Sequence, residues 1–483
     1  MPGQLLESPT VFLCVPHTMP DSAPTPSPSL PVPFERKVVL SLAALYSFRM
    51  FGLFMLLPVL SVYGSDYADH SPFLLGLALG AYGLSQALLQ IPFGVMSDRF
   101  GRKPLILAGL LLFALGSVVA AMADSVYGLI LGRFLQGCGA ISAAVMALLT
   151  DLTSEENRTK AMATIGASIG MSFSVAMTLG PVLAAWGGVG AIFWLTAGLG
   201  LAGVYILLAV VPNVSVTAAP RREAVAVPNL LWHTLSHPEL RRLNLGIFVL
   251  HFVLMANFVV LPLVLQNQLA IPRNYHGFVY FPLLALAFML MLPFVIIAEK
   301  RRQIKPVFLA AIGLLLVSEL LLVWLSHSMI PALLVLFLFF VAFNLLEATQ
   351  PSLVSKIAPA GAKGTATGIY ATCQVLGVFG GGALGGWLLE QQLGVAAVFM
   401  VNAALTLLWL LGAWGMTPPR FLASVLIPLR GRDPQWVADQ LRQVNGVAEV
   451  VIVSSENMAY LKVDQKLVDR KALATIVDAG PQV

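Results

Sequence analysis

The sequence predicts an all-α membrane protein with twelve transmembrane helices in two six-helix halves, followed by a small α+β domain. Three observations carry this reading. The chain is 58% hydrophobic and only 11% charged, whereas soluble domains carry about 25% charged residues. Its apolar residues fall in runs of roughly 20, the length of a helix that crosses a bilayer. Residues 417–483 lose that hydrophobicity and alternate polar with apolar positions.

In chain order the apolar runs place helices near 38–62, 73–96, 104–122, 127–150, 160–184, 189–211, 243–267, 278–298, 306–326, 330–353, 364–388 and 393–415. The cations between them set an orientation, because Lys and Arg are retained on the cytoplasmic side. Arg36 and Lys37, then Arg99, Arg102 and Lys103, then Arg158 and Lys160 fall on one side. Arg221, Arg222, Arg241 and Arg242 follow there, as do Lys300, Arg301, Arg302 and Lys305, then Lys356 and Lys363. The opposite loops contain Arg273 alone. Both termini are therefore expected in the cytoplasm. The net charge of +5 follows from topology and indicates no nucleic-acid partner. The lipid bilayer is the partner that composition demands.

Residues 1–35 are rich in Pro and Ser and read as a disordered tail. They lack the cationic and apolar order of a cleaved signal peptide. Residues 36–211 form the N-terminal half, 212–242 a cytoplasmic linker with two Arg pairs, and 243–416 the C-terminal half. The halves repeat: Lys305-Pro306 follows the eighth helix as Lys103-Pro104 follows the second, and Lys363-Gly364-Thr365-Ala366 echoes Arg158-Thr159-Lys160-Ala161. Halves related by an axis along the membrane normal are expected. Cys14, Cys138 and Cys373 are scattered, so neither a disulfide nor a metal site is expected, and no cofactor is implied.

Between the second and third runs lies Gly94-Val95-Met96-Ser97-Asp98-Arg99-Phe100-Gly101-Arg102-Lys103-Pro104. Its glycines allow a tight turn and close helix approach, and its charges sit where they can pair or separate as helices move. Read alone, the cations could serve topology only. The segment resembles G-x-x-x-D-R-x-G-R-K, the signature loop of the major facilitator superfamily. Gly132-Arg133-Phe134-Leu135-Gln136-Gly137-Cys138-Gly139-Ala140 resembles the R-x-x-Q-G-x-G motif of helix four in that superfamily. Gly166, Gly170 and Gly180-Pro181 resemble the helix-five motif of its proton-driven antiporters, with Val-Leu-Ala-Ala after Pro181 in place of paired glycines. The resemblance covers about residues 36–416. It implies a secondary transporter that moves a small-molecule substrate by alternating access.

The resemblance also implies a conformational latch of Gly94, Asp98, Arg99, Gly101, Arg102, Lys103 and Asp151. Arg102 would pair with Asp151. Asp98 would approach the positive N-terminal end of helix eleven near Gly364, favouring the outward-facing state. Gly377, Gly380, Gly381, Gly382, Gly385 and Gly386 would let helix eleven pack against helix two.

After Thr417-Pro418-Pro419 the pattern is that of a soluble ferredoxin-like unit, βαββα, lacking its last strand. Strands are expected at 422–427, 447–453 and 459–463, and helices at 434–444 and 469–478. Ala459, Leu461 and Val463 should face inward, with Tyr460, Lys462 and Asp464 outward. The missing strand would border the first, leaving an edge flanked by Arg420, Arg430 and Arg432 for a partner or self-contact. The pattern resembles heavy-metal-associated domains, but the first loop, Arg430-Gly431-Arg432-Asp433, has no Cys, so that mode of metal binding is rejected. A twelve-helix facilitator with this appendage resembles the YajR-type branch. So do Tyr46–Pro58 in helix one and Phe343–Thr349 in helix ten.

Ionisable side chains inside spanning helices are costly and usually face a cavity or one another. Arg49, Arg133, His251 and Glu347 are the candidates for a proton or substrate site. Arg49 is either a substrate or proton-site cation or the structural partner of a buried carboxylate or of carbonyls. Arg133, by the resemblance, tunes a neighbouring carboxyl, or else is a strut to helix one. His251 is a titrating cavity group or a neutral packing one. Glu347, near Asn344 and Gln350, is the natural proton carrier. Glu319, on a peripheral helix, is expected to meet a backbone group or a lipid head. Tyr82, Gln86, Gln90, Asn257 and Tyr370 are candidates for orienting substrate.

Proton-coupled efflux of a hydrophobic or amphipathic compound across a bacterial inner membrane is the expectation. Proton-coupled uptake of a nutrient is one alternative, and a transceptor whose C-terminal domain senses a cytoplasmic ligand is another. No G-x-x-x-x-G-K-[ST] loop is present, so ATP is not the expected energy source.

Overall fold

The computed structural model describes residues 32–153, 155–212, 228–359, 362–418, 422–429, 431–453 and 457–464, together with 467, 468, 473 and 476. Residues 1–31 with Cys14, the linker around Arg221 and Arg222, the turn at 454–456, Arg420 and Arg430 lie outside the described residues, as do the side chains of Asp98 and Arg158. Among the described residues, eleven helices are long and apolar enough to cross a membrane. One of them, Lys160–Ala209, is broken at Gly187 and Gly188. It therefore supplies two spans and brings the total to twelve.

Span one is Val32–Met55, so helix begins inside the expected tail. The chain turns beside Pro58 and resumes as Leu60–Tyr63. Span two, Pro72–Phe100, starts on a Ser71 cap that accepts from the Leu74 backbone N–H. It ends at Gly101, whose φ of 92° suits a residue without a Cβ. Span three is Arg102–Ala121. Span four, expected as one helix, is two: Val126–Cys138 and Ser142–Leu152, parted by Gly139, Ala140 and Ile141. Spans five and six share Glu155–Ala209 and are divided where Gly188 takes a φ of 68°.

The second half contains spans seven, Pro238–Leu263, and eight, His276–Lys300. Spans nine, Ile304–Leu325, ten, Met329–Ile357, eleven, Lys363–Glu390, and twelve, Gly394–Trp414, follow. The linker differs from expectation. It holds a helix, Pro228–Ser236, and Arg241 and Arg242 already belong to span seven.

Small residues set how the halves meet. A methyl group at Gly76 would strike the carbonyl oxygen of Gly382, and one at Gly80 would lie 2.9 Å from the Phe379 Cα. Gly382 and Gly386 thus face span two, whereas Gly377, Gly381 and Gly385 face the backbone of span seven at Phe248, Phe252 and Ala256. Span eleven is wedged between two partners, where one was expected.

The soluble domain is a three-stranded antiparallel sheet in the order β1-β3-β2. Its strands are β1 (Ala423–Pro428), β2 (Val447–Val453) and β3 (Met458–Val463). The helix Pro434–Gln443 covers one face and starts on Asp433, which accepts from the Gln435 N–H at 3.0 Å. Ile427, Val437, Leu441, Leu461 and Leu473 fill the core. Leu473 and Ile476 are the only described positions of the expected second helix. The outward assignment of Tyr460 and Lys462 is corrected. Both are buried, because central β3 is covered on both faces. Tyr460 packs with Leu426, Val453 and Met458, and Lys462 donates to the Lys356 carbonyl at the end of span ten, 2.8 Å.

Candidate functional site

The two halves touch at the Arg273 face and part toward the cation-rich face. At the closed end, Glu390 accepts from Ser71 Oγ (2.7 Å) and the Phe73 N–H (2.9 Å), a carboxylate placed at the positive start of span two. Ser61 Oγ donates to the Phe258 carbonyl at 3.1 Å, and Arg273 lies 4.2 Å from the Tyr63 ring centroid. Gly94 lies about three turns beyond Gly83 on the same helical face. A methyl at Gly83 would meet the Val375 carbonyl of span eleven, whereas one at Gly94 would meet only Ala143 of its own half, at 4.0 Å. Span five behaves likewise. The Thr178 backbone abuts Gly277 of span eight, while Met171, about two turns nearer the cation-rich face, is 69% exposed.

An aromatic bridge closes the space between halves at mid-membrane. Phe54 and Phe173 meet edge to face at 5.0 Å, Phe173 stacks on Phe343 of the other half at 6.5 Å, and His251 meets Phe343 at 5.8 Å. Sequence reading passed over this bridge, because single phenylalanines in apolar runs carry no signal. Arg49 lies about one turn beyond Phe54, and Glu347 about one turn beyond Phe343, both toward the cation-rich face.

On the C-terminal wall, three spans bring His251, Glu347 and Gln374 together. Gln374 Nε2 lies 2.8 Å from His251 Nε2 and 3.3 Å from Glu347 Oε1, and the His251 to Glu347 separation is 3.7 Å. The Glu347 side chain is 39% exposed and His251 only 10%, so the carboxylate is the accessible member. With the amide as assigned, Gln374 donates both to the carboxylate and to His251 Nε2, which then accepts. The amide thus ties the imidazole to the carboxylate. Gln374 was legible as a polar residue in an apolar run but was not singled out.

On the N-terminal wall, Arg49 donates to Ser142 Oγ (2.6 Å) and Gln86 Oε1 (2.9 Å), and Gln86 donates on to Gln90 at 3.3 Å. Among the described residues, the hydrogen bonds of Arg133 reach neither a carboxyl nor span one. It donates to Gln136 Oε1 (2.9 Å) and to the span-two carbonyls of Ala78 and Leu79. Both guanidinium groups flank the Tyr82 ring, at 5.4 and 4.9 Å.

Glu319 departs furthest from expectation. It is fully buried and accepts from Asn257 at 2.6 Å and Asn402 at 3.2 Å, joining spans seven, nine and twelve behind the cavity. Asn257 is thereby removed from the substrate candidates. The latch residues are partly assembled: Arg102 pairs with Asp151, and Lys103 donates to the Val211 carbonyl at 2.6 Å. Arg99 is exposed. In span five, Gly180 packs on the Met55 carbonyl and Pro181 lies within the helix, whereas methyls at Gly166 and Gly170 would meet nothing. Among the described residues no metal-binding group of His, Cys, Asp and Glu is present.

The profile of the Major Facilitator Superfamily matches residues 42–382, and the chain belongs to that superfamily of membrane transporters. A second profile, the YajR YAM domain, matches residues 425–479. The chain is 46% identical over 444 residues to the inner membrane transport protein YajR of Escherichia coli strain K12, covering 91% of this chain and 96% of that one. It is 35% identical over 350 residues to an uncharacterized transporter of Buchnera aphidicola subsp. Acyrthosiphon pisum strain APS, covering 72% and 89%. Its fold matches the nucleoside transporter NupG with a TM-score of 0.63 at 14% identity, over 78% of this chain and 99% of that one.

Proposed function

We propose that this transporter exports a hydrophobic or amphipathic compound from the cytoplasm in exchange for protons. The observation that carries the reading is the His251–Gln374–Glu347 cluster. A carboxylate reachable from the cavity is bridged to a buried imidazole on a different span, so gain or loss of a proton changes how spans seven, ten and eleven are held together. Protonation in such a place couples chemistry to helix movement. The aromatic bridge beside it suits an apolar substrate. The glycines and Pro181 of span five support antiport by resemblance.

The cation-rich face is assigned to the cytoplasm and the membrane to a bacterial inner membrane, on the Lys and Arg asymmetry and the kinship to YajR. The parted halves then correspond to an inward-open state. The Asp98 loop is assigned the role of latch for the opposite, outward-open state. Gly94, standing clear of span eleven, supports a latch that is released in the present state.

The C-terminal domain is assigned a regulatory role, which the contact from Lys462 to the end of span ten supports. The same contact is what a transceptor would need, and substrate-driven proton movement, measured on the full chain and on one lacking residues 417–483, separates the two. A transporter keeps substrate-driven proton movement, whereas a transceptor shows none with or without the domain.

The central test is Glu347→Gln in proteoliposomes. Transport driven by a pH gradient should vanish while exchange of substrate without a gradient survives. Full pH-driven transport by the variant would remove Glu347 from the mechanism.

A further inference from the structure

Arg49 and Arg133 place two positive charges in the apolar N-terminal half. Arg49 is 2% exposed and Arg133 fully buried. Among the described residues neither has an acidic partner; their acceptors are a hydroxyl, two amide oxygens and two carbonyls. A guanidinium cannot shed its proton to escape burial. Burying an ion without a counter-charge is strongly unfavourable. The carboxylate across the cavity, Glu347, is already engaged with Gln374. Among the described residues, negative charge is therefore missing beside these two cations.

The two arginines differ in what they can offer. All three nitrogens of Arg133 are held by span two and Gln136, so it is fixed and acts through its field. Arg49 uses Nη1 and Nη2, while its buried Nε has no partner. Nε forms the side-on edge of the guanidinium fork, the edge that takes carboxylate or sulfonate oxygens. Tyr82, between the two cations, holds their separation. The aromatic bridge of Phe54, Phe173 and Phe343, about one turn away, supplies an apolar surface for the remainder of a ligand.

We infer that Arg49, backed by Arg133 across the Tyr82 ring, is the binding site for the anionic end of an amphipathic organic acid. This rests on the transport reading above and narrows its substrate class. The anion would complete the charge of the N-terminal wall, while the proton is handled separately on the C-terminal wall.

The test is calorimetric binding to the full chain in uncharged detergent, with no proton gradient and no transport. The probes are naphthalene-2-sulfonate, 2-naphthylmethanol and 2-naphthylmethylammonium, alike in apolar body and different in charge. The sulfonate should bind at least about tenfold more tightly than the other two, the scale of a charge-assisted hydrogen bond. Arg49→Gln should remove that preference, and Arg301→Gln at the exposed loop should keep it. Gln86→Glu gives Arg49 an internal carboxylate and should exclude the sulfonate, a second route if Arg49→Gln fails to fold. Equal binding of the three probes, or an unchanged sulfonate affinity in folded Arg49→Gln or Gln86→Glu, overturns the inference. Loss of proton coupling in liposomes with the sulfonate preference intact would sink the transport reading alone.

Discussion

Glu319 shows what a single buried residue does in this fold. Its carboxyl is enclosed by apolar spans and held by two asparagine amides, with Asn402 also donating to Asn257 at 2.9 Å. Glu319→Gln preserves the shape of the group and an amide oxygen to accept with. Glu319→Ala leaves the buried Asn257 amide without its acceptor, at about 1–3 kcal/mol, and takes from Asn402 one of its two. We therefore expect Glu319→Ala to lower the thermal unfolding midpoint in detergent clearly and Glu319→Gln to lower it far less. Equal midpoints for the wild type and Glu319→Ala would show that the triad contributes nothing to stability. The sequence displayed Glu319 and Asn257 as costly polar residues in apolar helices. It gave no sign that they are neighbours, because their pairing depends on which faces of spans seven, nine and twelve pack together.

At the scale of elements, backbone contact between spans two and eleven closes the Arg273 face. Gly76→Leu places a side chain against the Gly382 carbonyl, and overpacking of this kind costs about 1–3 kcal/mol. The closed arrangement should be depopulated. A cysteine introduced at Ser71 in that background should react faster with a membrane-impermeant thiol reagent than the same cysteine in the wild type. Unchanged labelling would mean that the glycine contact does not hold the face shut. The soluble domain offers a second case. Lys462→Met keeps the apolar stem but loses the bond to the final turn of span ten, where a cation also meets the negative helix end. Amide exchange should rise in residues 352–357 and in β3. Unaltered exchange in both segments would show that the domain is not tied to the transporter through Lys462. The alternation in β3 was legible, but its burial on both faces was not, since that comes from a neighbour remote in sequence.

For the whole molecule, the opening on one face defines what the opposite state must change. Spans two and eleven are in contact at Gly76, Gly80 and Gly83, and a methyl at Gly94 would meet no residue of span eleven; under the proposed latch, closure of the cation-rich face brings the Asp98 loop to the start of span eleven. Asp98→Asn should weaken that approach, because a neutral amide interacts less with the helix N-terminus than a carboxylate. Transport should fall, and thiol labelling should shift toward cytoplasmic accessibility. Identical accessibility in Asp98→Asn and the wild type would exclude the latch.

Twelve spans, the repeated halves and the separate α+β tail were determined by the sequence itself, which also supplies the expectation for their orientation. Each follows from local quantities: the length of an apolar run, the placement of Lys and Arg, and the period of alternation. The candidate site was legible in part. Arg49, Arg133, His251 and Glu347 stood out because charge is costly in an apolar helix. Gln374, the Phe54–Phe173–Phe343 bridge and the Glu319–Asn257–Asn402 triad were decided only by tertiary structure. Helix rotation and the approach of one span to another determine which side chains meet. Those are set by glycine contacts between residues as distant as Gly76 and Gly382, and a local pattern does not encode them.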